Sequence, residues 1–196
     1  MTATELAAAI RSKESSSTEL VESYLDRIEA LNPGLGAVVT VAAESARSEA
    51  READRCLARG EGLGPMHGLP VTVKDCLETA GMRTTCGARE LADYVPDNDA
   101  VAVRRLRRAG AIIVGKTNLP AWASDCQSYN ELFGTTNPLL PGLDRAPPPP
   151  GGRRRRRPVR PCFPSGWITR TGASRAVTVT DAGRSALRDH LGLLPG

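Results

Sequence analysis

The chain has 196 residues, 40% hydrophobic and 24% charged, with a formal net charge of +4. That length supports one domain with its own core, or one domain and an appendage. No apolar run approaches the roughly 20 residues of a membrane span, and "MTATELAAAIRSKESSS" lacks the basic segment and apolar core of a secretory signal, so a cytoplasmic protein without membrane contact is expected.

Ser16-Ser17-Thr18-Glu19 is a capping-box pattern, with Ser16 as N-cap and Glu19 three residues on. Leu20, Val21, Tyr24, Leu25, Ile28 and Leu31 follow at helical spacing, and Asn32-Pro33-Gly34 is expected to stop that helix. "AVVTV" reads as a short strand, and the alanine-rich, charge-studded stretch 42–59 as a second helix. Residues 60–68 hold four glycines and a proline, so a loop is expected. "LPVTVKD" reads as a buried strand, 99–109 as a helix and "AIIVG" as another strand, with "KTNLPAWAS" leading off its end. Strand, helix and strand in this order imply an α/β domain with a largely parallel sheet, whose sites form outside the carboxyl ends of the strands. Lys74 and Lys116 both fall there.

Lysine is scarce, with three residues against 23 arginines. Arginine stays protonated, whereas a lysine shielded from water can lose its proton and act as a base. Two roles for Lys74 follow: an ion pair with Asp75, or activation of a hydroxyl nucleophile. Five cysteines (Cys56, Cys76, Cys86, Cys126, Cys162) include no Cys-x-x-Cys pair, which points to reduced thiols, and no metal site is expected. Cys76 reads as a core thiol rather than a nucleophile. His67 has no cysteine or carboxylate cluster beside it in sequence and reads as structural.

The segments "GPMHGLPVTVKD" (64–75), "RRLRRAGAIIVGKTNLPAWA" (104–123) and "NELFGTTNPLLPG" (130–142) resemble, in order, three linked motifs of the amidase signature family. The resemblance covers about residues 1–142. It departs at Ala121 and Trp122, where the family often carries an acid and a phenylalanine. It implies a mixed sheet wrapped in helices and a Ser–cis-Ser–Lys triad that hydrolyses carbon–nitrogen bonds of small amides, without metal or organic cofactor. Lys74 falls on the family's catalytic lysine. Ser124 lies where the family lines its substrate pocket, although a loop hydroxyl making local hydrogen bonds fits it equally. The resemblance does not separate a stand-alone amidase from a component of a tRNA-dependent amidotransferase.

After Pro141 the pattern breaks. The family continues into a Gly/Ser-rich loop with the bridging serine, an alanine-rich helix and a turn bearing the nucleophile. Here the chain reads "DRAPPPPGGRRRRRPVRPCFPSG", with no Gly-Ser-Ser-Gly-Gly-like stretch. Eight arginines against one acid give residues 143–170 a charge of +7, which leaves the rest of the chain at −3. A CGC repeat encodes arginine, and its shifted frames read alanine and proline, so a frameshift across 143–166 is one explanation. Disorder of 143–166 is expected because proline and arginine do not build a core. Arg153 to Arg157 would bind polyanions weakly and non-specifically. Residues 167–196 read as a hairpin and a helix and resemble the end of an ArsR-type winged-helix regulator. The first expectation is thus a truncated, inactive amidase fragment holding the lysine without the serines. The alternative is a DNA-binding or regulatory protein using the arginine run and the tail.

Overall fold

The computed structural model describes residues 2–61, 64–125 and 127–137. The arginine run, its frameshift explanation and the winged-helix-like tail lie outside the described residues.

Helix α1 spans Ala3–Arg11 and α2 spans Ser17–Leu35; strand β1 is Val38–Val41, helix α3 Ala43–Ala58 and strand β2 Pro70–Lys74. Helix α4 (Val101–Arg108) and strand β3 (Ile112–Thr117) follow, then the two-residue strands β4 (Tyr129–Asn130) and β5 (Gly134–Thr135). Both α1 and α2 start with complete capping boxes, Thr2 with Glu5 and Ser16 with Glu19. Each box satisfies two backbone N–H groups that a helix start leaves open. Asp54 on α3 adds to the start of α2, accepting from the Ser17 N–H at 2.7 Å, the Thr18 N–H at 3.0 Å and the Thr18 hydroxyl at 2.6 Å.

Asn32-Pro33-Gly34 does not stop α2, which runs on to Leu35. Pro33 forfeits one hydrogen bond, but buried Leu35 packs the last turn down, and the helix ends at Gly36, whose φ of 60° is left-handed. Asn32 then shapes the exit: its Oδ1 accepts from the N–H groups of Ala37 (2.9 Å) and Val38 (2.8 Å). Further along the chain, α4 starts two residues later than expected. Asp99 is outside it, accepting from the Ala80 N–H at 2.8 Å and pairing with Arg107 at 3.2 Å.

The main sheet has the order β1-β3-β2. Strands β2 and β3 are parallel, with Val71 opposite Ile113 and Val73 opposite Lys116. Strand β1 is antiparallel to β3, so the sheet is mixed rather than largely parallel. Central β3 is buried on both faces. Ile113 joins Ile10, Val71, Val73 and Val103 on one side, whereas Ile112 and Val114 join Val21, Leu25, Ala46 and Ala50 on the other. This two-residue alternation places α1 and α4 on one face and α2 and α3 on the other. Each fully buried Val or Ile contributes about 1.5–3 kcal/mol of transfer free energy. At Gly115 the strands approach closely: a Cβ there would meet the Thr40 carbonyl oxygen at 2.5 Å.

Candidate active site

Lys74 closes β2, so the strand aims it past the carboxyl edge of the sheet. Its Nζ donates to the backbone carbonyl of Asn118 at 3.1 Å. The side chain is half-buried, and desolvation lowers its pKa below the ordinary 10.5, opposed by Cys76. The free base is therefore favoured relative to a lysine in water, as a proton acceptor requires.

The Lys74–Asp75 pair considered from sequence does not form. The pairing with β3 continues one residue past β2, where the Asp75 N–H donates to the Thr117 carbonyl at 3.1 Å. Successive residues of such an extended stretch point to opposite sides, and Asp75 turns inward to full burial. Its Oδ2 accepts from the Thr85 N–H at 3.0 Å and from the Thr85 hydroxyl. Its Oδ1 lies 3.8 Å from Nζ of Lys116, which is also fully buried. Lys116 donates to the Leu77 carbonyl and the Thr84 hydroxyl, both at 2.7 Å. Burial brings its pKa down to about 8, with Asp75 opposing. Burial pushes Asp75 up, with Thr85 and Lys116 opposing. Lys74 and Lys116 are thus chemically distinct: one a half-buried amine donating to the Asn118 carbonyl, the other an internal cation holding the turn after β2.

Asn118, which the sequence pattern did not single out, joins the three motif segments. Its backbone carbonyl holds Lys74. Its Nδ2 donates to the Gly134 carbonyl at 3.2 Å and to the Thr136 hydroxyl at 3.1 Å. Its Oδ1 accepts from the Leu119 N–H at 3.0 Å and from Asn130 Nδ2 at 2.7 Å. Asn130 in turn ties down the N–H groups of Leu132 and Phe133 through its Oδ1. A buried, fully bonded amide of this kind fixes neighbouring backbone. Two asparagines within matching motif segments were the available signal.

Ser124 is exposed, and its hydroxyl donates to the Ala121 carbonyl at 2.7 Å, the local bond weighed from sequence. It follows a tight turn in which Trp122 and Ala123 both adopt positive φ (54° and 52°) and Trp122 is exposed. The hydroxyl of Ser124 thus bonds within its own turn, and the amine of Lys74 bonds to Asn118. His67 Nε2 sits 3.0 Å from the Ala53 carbonyl oxygen, which ties the loop before β2 to α3. Cys76 is half-buried with its pKa raised by burial. Among the described residues, no group of three or more His, Cys, Asp or Glu side chains is placed to hold a metal.

The amidase family profile matches residues 19–143. The chain belongs to the amidase family. It is similar to a glutamyl-tRNA(Gln) amidotransferase component of Carboxydothermus hydrogenoformans, 43% identical over 148 residues, covering 75% of this chain and 30% of that protein. The corresponding protein of Moorella thermoacetica is 46% identical over the same length and with the same coverage. Among solved structures, the peptide amidase of Stenotrophomonas maltophilia superposes with a TM-score of 0.64 at 39% identity, covering 69% of this chain and 29% of that one. A bacterial aryl acylamidase of the amidase signature family gives 0.66 at 31% identity with the same coverage. The chain thus spans about 30% of the length of the relatives it matches. Among the described residues, no helix is long and apolar enough to cross a membrane.

Proposed function

We propose that residues 1–142 are the lysine-bearing part of a carbon–nitrogen hydrolase acting on small amides, and that these 196 residues alone do not turn over. The observation that carries the first half is the state of Lys74: half-buried, turned away from Asp75, held by the Asn118 carbonyl and lowered in pKa. In the mechanism implied by the family resemblance, Lys74 takes a proton from a bridging serine. That serine deprotonates the nucleophilic serine, which attacks the amide carbonyl, and water cleaves the acyl-enzyme. The small-amide substrate class is supported by relatives named as a peptide amidase and an aryl acylamidase. Relatives named as amidotransferase components support the same bond chemistry within a larger assembly.

The second half rests on residues 142–196, which hold no glycine- and serine-rich stretch of the family kind. Ser124, proposed from sequence to contact substrate, keeps that role only if its bond to Ala121 opens. A fluorophosphonate probe tests the proposal, because it labels serines activated by a neighbouring base. No serine of the purified chain should be labelled. Stoichiometric labelling that disappears in Lys74→Ala would overturn the inactive assignment.

A further inference from the structure

Cys76 and Cys86 lie ten positions apart in sequence on either side of the turn after β2, and both are free and half-buried. The N–H of Cys86 donates to the carbonyl of Asp75, the residue before Cys76, at 3.1 Å. A backbone hydrogen bond to the preceding peptide unit sets the two Cα atoms about 4–7 Å apart. A disulfide needs Cα atoms in that same range. The far side of the turn is pinned from outside as well: Trp122 donates its N–H to the Cys86 carbonyl at 2.8 Å. Cys86 itself has a positive φ of 51°. Cys76 also acts on Cys86, whose pKa is raised first by burial and then by Cys76. Lys74 and Lys116 act on Cys76 in the opposite direction.

We infer that Cys76 and Cys86 form a reversible dithiol–disulfide pair that clamps the turn beneath Lys74. The oxidant is a peroxide. One thiolate attacks a peroxide oxygen, the O–O bond breaks, and a sulfenic acid and water result. The second thiol then attacks that sulfur, one S–S bond forms, and a second water leaves. Two thiols together give up two electrons and two protons. A small-molecule thiol reverses the step through a mixed disulfide. The raised thiol pKa values predict slow closure at neutral pH and faster closure at mildly alkaline pH, where more thiolate is present.

The test uses the native full chain, treated with hydrogen peroxide, alkylated at remaining thiols and digested with trypsin without reductant. Arg83 lies between the two cysteines, so trypsin separates the peptide ending at Arg83 from Thr84–Arg89 unless a disulfide joins them. The expected result is the joined pair, lighter than the sum of its parts by two hydrogens and separated by reductant. It should persist when Cys56, Cys126 and Cys162 are replaced by serine and vanish in Cys86→Ser. Full alkylation of both cysteines after peroxide, or their linkage to Cys56, Cys126 or Cys162 instead, would overturn the inference.

Discussion

Lys74 and Lys116 sit at matched ends of neighbouring strands, yet their surroundings set opposite roles. With only three lysines in the chain, isotope-labelled lysine NMR can follow each Nζ, assigned by single substitution. Lys116 should lose its proton near pH 8, and Lys74 below its ordinary value of 10.5. Asp75→Asn should move the Lys116 titration and leave Lys74 nearly still; a large Lys74 shift would restore the pair that the geometry rules out. The depressed value of Lys116 also fixes a stability slope. Between about 8 and 10.5 the unfolded chain binds this proton more tightly than the folded chain. Its contribution is therefore fully present above 10.5 and is lost as pH falls through about 8. Denaturation of the native chain relative to Lys116→Met should show that slope. At neutral pH, Lys116→Met should still destabilise the fold, by about 3–5 kcal/mol, because Asp75 is left buried without its cation. Both lysines were legible in the sequence as strand-end residues. Which one meets Asp75 was not, because adjacency in the chain suggests a contact that strand alternation forbids.

At the scale of elements, β1 and β3 approach closely at Gly115. Gly115→Ala places a methyl against the Thr40 carbonyl, and both residues lie within the β1–β3 pairing. The substitution should cost about 1–3 kcal/mol in chemical denaturation. A change within a few tenths of a kcal/mol would show that β1 is not held against β3 as described. The start of α2 was legible because its capping box precedes a clear helical period. Helix α1 carries the same signature in Thr2 to Glu5, where the short alanine-rich stretch that follows shows little period of its own. Tertiary contacts explain the other differences. Pro33 is a strong stop signal locally, but burial of Leu35 and the exit shaped by Asn32 outweigh one lost hydrogen bond. The direction of β1 is set by tertiary pairing with β3, which a strand–helix–strand order does not encode. Strands β4 and β5 have two residues each, too few to show any period.

At the scale of the whole molecule, three segments distant in sequence meet at Asn118. Asn118→Ala should cost about 2–4 kcal/mol, since it strips partners from the Leu119 N–H and from Asn130. A substitution that leaves the denaturation midpoint unchanged would mean that the segments are joined elsewhere. The candidate catalytic lysine was legible through the motif resemblance, and its amine environment became visible only with the fold. The asparagine hub was not legible, because its meaning lies in bonds between segments rather than in the pattern of any one of them. What the chain can do as a whole turns on whether a well-placed lysine suffices without the serines that the family resemblance requires. A triad acts as a unit, so loss of its nucleophile removes nearly all chemical catalysis. The most direct measurement is hydrolysis of simple aliphatic and aryl amides by the purified chain beside Lys74→Ala. Equal background rates for the two proteins are predicted. Reproducible turnover by the native chain that Lys74→Ala abolishes would contradict the account.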